Sequence, residues 1–188
     1  MQELKLFMVL LGCRLKNRHT EQHDMFFGVA TSIQALVPDI NHFWPEAKGR
    51  LHIDAWREVT NVDGYGIKIV LDNEMPMTNE ETLKLFFLNL GGYKPQEFEE
   101  YHYKMLAVGK SITEPIRQAK QTAFYKHFDI AGAPSHIDDK YGIDVDDAYE
   151  VKDILPAETK SKYSILIEPA TKNQPDEMHL GYFPLDKL

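Results

Sequence analysis

The sequence predicts an α+β protein: two tandem ββαββ-like repeats packed as an intramolecular pseudo-two-fold pair, plus a C-terminal strand pair. Three observations lead there. Leu4-Lys5-Leu6-Phe7-Met8-Val9-Leu10-Leu11-Gly12 returns 79 residues later as Leu83-Lys84-Leu85-Phe86-Phe87-Leu88-Asn89-Leu90-Gly91. The same offset sets Glu21 over Glu100, His23 over His102, and Val29, Ser32 and Ile33 over Val108, Ser111 and Ile112, giving 11 identities in the 30 positions from 4 to 33. A second block, His52-Ile53-Asp54, returns at an offset of 84 as His136-Ile137-Asp138, with Asp63, Tyr65 and Lys68 over Asp147, Tyr149 and Lys152. Self-similarity of this kind decides architecture before any local reading. A unit with one apolar sheet face and one helix leaves surface that a second copy can bury. The repeats are placed at 1–72 and 83–155, residues 156–188 complete the fold, and the whole is expected to form one compact unit.

Taken in order, 4–11 is a continuous apolar run with a Gly stop, as in a buried strand. Residues 13–20 are polar and basic, and read as a loop. Two readings compete for 23–30: His23, Met25, Phe27 and Val29 alternate as in a strand, whereas Phe26, Val29, Ala30, Ile33 and Val37 fit a helical stripe. The strand is favoured, followed by a helix over 33–43 capped by Ser32, with Pro38 kinking it. Its counterpart covers 112–127, opened by the capping-box pattern Ser111-Ile112-Thr113-Glu114. Strands at 52–59 and 65–71 are joined by a hairpin at Asn61-Val62-Asp63-Gly64. The second copy carries five extra residues near Gly132-Ala133-Pro134, then a strand over 148–155. Linkers fall at 72–82 and 156–162, and the tail offers strands at 163–168 and 179–183.

Composition narrows the function. A net charge of -8 argues against a nucleic-acid partner, which needs clustered Lys and Arg. No basic amphipathic helix marks a membrane surface, and no stretch approaches the roughly 20 apolar residues of a span. The apolar start ending in Leu10-Leu11-Gly12-Cys13 resembles a lipoprotein signal, but the same segment recurs inside the chain at 83–91, so it reads as a strand. One cysteine, Cys13, excludes an intramolecular disulfide framework and fits a cytoplasmic location.

The residues that could carry chemistry are Glu21, His23, Asp24, His52 and Asp54, with Glu100, His102, His136 and Asp138 in the second copy. Residues two apart on a strand share a face, so Glu21-x-His23 and His52-x-Asp54 could gather a Glu, two His and an Asp on one surface. Those are ligand types for Zn, Mn or Fe, and also groups that exchange protons. The metal set would be Glu21, His23, His52 and Asp54. On a helix, Glu21 and His23 would diverge by about 200°. The plainer reading makes these histidines packing devices bonded to backbone or to a neighbouring carboxylate. No HExxH spacing is present. Gly109-Lys110-Ser111 resembles the end of a phosphate loop, but Lys104 stands where its first Gly belongs. Asp144-x-Asp146-Asp147 resembles a calcium loop, with Ala148 at a ligand position. Cys13 lies near Arg14, Lys16, Arg18 and His19, a setting that could lower a thiol pKa. That basic loop could also meet an anionic ligand or an acidic partner.

Gly12, Glu21-Gln22-His23-Asp24, His52-Ile53-Asp54, Val62-Asp63-Gly64-Tyr65, Leu90-Gly91-Gly92-Tyr93 and the Gly181-Tyr182-Phe183-Pro184-Leu185 ending together resemble the bacterial family called domain of unknown function 1543, in a two-copy form. The resemblance implies a bacterial source, no recognised cofactor and no established activity. Tyr103 replaces Asp24 in the second copy, so the two halves need not carry equivalent sites.

The expected function is that of a cytoplasmic, non-catalytic binding or interaction module, with a small molecule or a protein as partner. The alternative is a metal-dependent or acid–base enzyme using the repeated Glu, His, His and Asp groups. No cofactor is required by the sequence, and a divalent transition metal is the candidate. A third reading is assembly through an exposed edge strand at 163–168. Geometry separates the first two: His23 and His52 converge in the enzyme and lie apart, paired to backbone, in the module.

Overall fold

A computed structural model of the protein describes residues 3–76, 82–93, 96–121, 145–171 and 174–188. In chain order the strands are β1 (Lys5–Cys13), β2 (Gln22–Ala30), β3 (His52–Glu58), β4 (Asn61–Val62), β5 (Tyr65–Leu71), β6 (Lys84–Tyr93), β7 (Glu100–Gly109), β8 (Val145–Glu150), β9 (Tyr163–Pro169) and β10 (His179–Pro184). The α-helices are α1 (Val37–Phe43), α2 (Thr113–Ala119), α3 (Val151–Ile154) and α4 (Ala157–Lys160). The chain divides into two units, Met1–Pro76 with Ile154–Leu188, and Met77–Asp153. The α+β class predicted from the sequence is the one observed. Among the described residues no helix is long and apolar enough to cross a membrane.

In the first unit, β1 and β2 form a hairpin in unbroken register from Lys5↔Ala30 to Cys13↔Gln22. Alternation puts Phe7, Val9, Leu11 and Cys13 on one face of β1, each fully buried. Onto that face pack Ile33 and Leu36 of a 3-10 turn, Ile40 of α1 and Ala47 of a second 3-10 turn. Burying side chains of this size stabilises by roughly 1.5–3 kcal/mol each, which is what holds short helices with little intrinsic stability in place. β3 joins β1 on its other side and β10 joins β3, giving the order β10-β3-β1-β2. A second sheet has the order β4-β5-β9. Its β4–β5 turn places Asp63 at φ 55° and Gly64 at φ 80°, the paired positive angles of a tight two-residue hairpin.

In the second unit, β6 and β7 pair from Lys84↔Gly109 to Tyr93↔Glu100, and β8 lies on the other side of β6. Its core gathers Phe86, Leu88, Leu90, Ala107 and Ala119.

The strand favoured over 23–30 is observed as β2, and the helical stripe there is incidental. Several other local expectations are corrected. β3 and β5 do not form a hairpin: β3 pairs with β1 and β10, while the turn at Asp63-Gly64 joins β4 to β5. The two tail strands do not pair with each other either, since β9 pairs with β5 and β10 with β3. The predicted strand over 148–155 is β8 followed by a helical turn, α3. Pro38 does not kink a helix. It sits in the first turn of α1, where its missing N–H costs nothing. Ser32 stands at the N-cap of the 3-10 turn but makes no side-chain cap bond, and the helix at 113–119 begins after Ile112 and not after Ser111; Glu114 accepts the Lys110 N–H at 2.9 Å.

The second repeat block is also re-registered. Ile53 lies opposite Leu11, and the residue opposite Leu90, the counterpart of Leu11, is Val145. Glu58 lies opposite Phe7 as Glu150 lies opposite Phe86, an offset of 92 and not 84. The ion pairs agree: Lys5–Glu58 at 2.8 Å in one unit and Lys84–Glu150 at 2.7 Å in the other. Tyr65 and Tyr149, aligned at offset 84, stand in strands of different sheets. His136, Asp138 and the loop near Gly132 lie outside the described residues.

Candidate functional site

The site grows from one row across the first unit's main sheet. On the central strand β1, Gly12 is the register partner of His23 on β2 and of His52 on β3. His23 and His52 are therefore two strands apart, about 10 Å between backbones at ordinary strand spacing. With no side chain on Gly12, their imidazoles lean inward over a notch. A Cβ at Gly12 would lie 2.4 Å from His52 Nε2 and 2.5 Å from Asp54 Oδ2. Both donors thus occupy space that only glycine leaves.

Alternation along β3 brings in the carboxylate, since Asp54 lies two residues from His52 and on the same face. The β1–β3 register shifts between Leu10, opposite Ala55, and Leu11, opposite Ile53, which leaves Asp54 as the extra residue of a bulge, without a partner on β1. Asp54 Oδ1 is 3.2 Å from His52 Nε2, and its Oδ2 is 3.2 Å from His23 Nε2. Glu21, just before β2, closes the other side at 3.3 Å from His52 Nε2 and 3.8 Å from His23 Nε2. Two imidazoles thus share two carboxylates.

Burial within the group is uneven. The His52 side chain is 5% exposed, whereas those of His23 and Glu21 are 44% and 41% exposed. Tyr182, from the edge strand β10, lies against the His52 ring with centroids 4.4 Å apart. His52 Nε2 and Asp54 Oδ2 are buried and have no hydrogen-bond partner from the protein, although carboxylate oxygens stand close to the nitrogen. The distances are those of contact, but the directions are not those of hydrogen bonds. Among the described residues, no three or more His, Cys, Asp and Glu side chains form, as they stand, a set that could hold a metal ion.

The other candidates separate from this group. Asp24 alternates away on β2 and accepts the Met25 N–H at 2.7 Å. Glu100 and His102 lie exposed on β7 of the second unit, with His102 opposite Gly91. Burial raises the Cys13 thiol pKa, against a smaller lowering by Arg50 and alongside a smaller rise from Glu21, so the activated-thiol expectation is overturned. The Lys110 amide, which a phosphate loop would offer to a ligand, is taken by Glu114. Asp147 Oδ1 accepts from the Tyr149 hydroxyl at 3.1 Å, and Asp144 lies outside the described residues. Two members of the site were not among the candidates. Gly12 stands in the sequence as the stop of an apolar run, in the repeat over Gly91 and in the family-like motifs, and Tyr182 as part of the chain's ending; neither carries a group that marks a site.

Fold and site together define an α+β protein with a histidine–carboxylate group set over a glycine notch in an antiparallel sheet. Residues 18–69, which contain Glu21, His23, His52 and Asp54, match the family described as Domain of Unknown Function (DUF1543). Among solved structures, the chain resembles the crystal structure of a protein Il1583 from Idiomarina loihiensis, with a TM-score of 0.65 and 25% identity over 97% of this chain and 98% of that one. No curated protein matches.

Proposed function

We propose that this chain is a bacterial cytoplasmic binding protein that takes a small ligand at the Glu21, His23, His52 and Asp54 group, in the first of two related units. The observation that carries this reading is the pair of buried atoms, His52 Nε2 and Asp54 Oδ2, that the protein leaves without hydrogen bonds. A buried orphan polar group costs about 1–3 kcal/mol, and here two of them lie together over one notch. These histidines face carboxylates, which a packing role also allows; such a role does not account for the two buried atoms left without hydrogen bonds. In the second unit the residue preceding Val145 is Asp144 and no histidine, which supports a site confined to the first unit.

Acid–base catalysis by the same groups is the second reading. It is favoured by the convergence of His23 and His52, the geometry expected of an enzyme, on Asp54, whose two oxygens contact the two imidazoles and could pass a proton between them. Both readings require an open notch. A high-resolution crystal structure of the protein purified without an affinity tag tests this. The expected result is a solute atom, from ligand or water, bonded to both His52 Nε2 and Asp54 Oδ2. A direct hydrogen bond between His52 and Asp54, with the notch closed over Gly12, would overturn the reading and make the pair structural.

A further inference from the structure

We infer that the ligand of this notch is a divalent transition-metal ion, with zinc the best match; the inference rests on the notch being a binding site. The donors are two imidazole nitrogens and two carboxylates, a set that suits zinc. Zinc–ligand bonds of about 2.0–2.2 Å in a tetrahedron hold their donor atoms roughly 3.3–3.6 Å apart. Each imidazole nitrogen lies 3.2–3.8 Å from one oxygen of each carboxylate, a different oxygen for each ring, so closing a tetrahedron requires one oxygen of each carboxylate to turn toward both rings. His52 Nε2 and Asp54 Oδ2, buried without a hydrogen-bond partner, are the atoms available as ligands. His52 supplies the fixed element, buried beneath Tyr182 and held in a β-strand.

The group is not a finished metal set as it stands. The adjustment falls on His23 and Glu21, which are exposed enough to rotate, and on the Asp54 carboxylate, while the buried His52 ring is the fixed donor. Gly12 enters the same account, since a Cβ would occupy the space in front of His52 Nε2 and Asp54 Oδ2. The first unit has this constellation; in the second, His102 is opposite Gly91 on one side, and Leu90 pairs with Val145 on the other.

The test is calorimetric titration of zinc chloride into tag-free, chelator-treated full-length protein, with circular dichroism to confirm folding of each variant. About one zinc ion per chain is expected, as for a single tetrahedral site. His23→Gln, at an exposed position, should bind more than about 100-fold more weakly, beyond the 10–100-fold typical of losing a group that merely supports a ligand. His52→Gln should do the same, and His102→Gln should bind as the wild type does. Absence of saturable zinc binding by the wild type would overturn the inference, as would wild-type binding by folded His23→Gln or equal loss in His102→Gln. If zinc fails while the crystal structure shows a solute bridging His52 and Asp54, the binding site stands and only the choice of metal falls.

Discussion

Gly12 is the residue on which the site depends most, although it has no functional group. Its neighbours on the two flanking strands, His23 and His52, can approach each other only because nothing projects between them. Gly12→Ala would place a methyl group 2.4 Å from His52 Nε2 and force that buried ring or Asp54 to move. Overpacking of this kind costs about 1–3 kcal/mol. In a chain of this size each kcal/mol lowers the melting temperature by about 2–4 °C, so thermal unfolding should show a clear drop. An unchanged melting temperature would mean that His52 and Asp54 swing aside freely and that the notch is not a fixed feature. The pairing of Glu21 with His23, and of His52 with Asp54, was legible from the two-residue spacing alone. The need for Gly12 was not, because it arises from register across three strands and no local pattern reports register.

At the scale of elements, the first unit is tied together by contacts distant in sequence. Asp176, whose side chain is 1% exposed, accepts the Thr60 N–H at 3.0 Å, the Thr60 hydroxyl at 2.6 Å and the Asn61 N–H at 3.1 Å through Oδ1. One carboxylate thus pins the corner where the chain leaves β3 for β4. Hydrogen bonds to a charged group contribute about 1.5–3 kcal/mol. Asp176→Ala, which removes three donors' partner at once, should cost at least about 2 kcal/mol in urea unfolding; a loss below that would show that water replaces the carboxylate without penalty. This corner also explains why the sequence misplaced the strands. The run from His52 to Leu71 reads as one hairpin because both strands and the Asp63-Gly64 turn are locally correct. The chain instead changes sheets at Val59 and Thr60, where Val59 N–H bonds to Leu6 and the Asp176 carboxylate takes the next two amides. That choice is made by partners more than 50 residues away. The caps were legible only in part: Ser32 does precede the turn at Ile33, without a side-chain cap bond, whereas the second helix starts one residue later than Ser111 requires.

For the whole molecule, the α+β class and most strands could be read from apolar periodicity, and the segments aligned at offset 79, β1–β2 and β6–β7, each form an antiparallel hairpin. The identities at offset 84 do not follow the strand register, which runs at offset 92. The ion pairs Lys5–Glu58 and Lys84–Glu150 follow that register, and of these four residues only the lysines align in the sequence. The consequence is asymmetry: two units share a hairpin plan, and one gathers two histidines and two carboxylates over a glycine. If this group serves a ligand and not the fold, removing its charges leaves stability intact. Urea unfolding of wild type and Glu21→Gln/Asp54→Asn, at one pH and without added metal, decides this. The variant is expected to be at least as stable as wild type, to within the roughly 1 kcal/mol that exposed ion pairs contribute. A loss approaching the 3–5 kcal/mol of a broken buried pair, or any loss clearly above about 1 kcal/mol, would contradict it and make these four side chains part of what holds the sheet together.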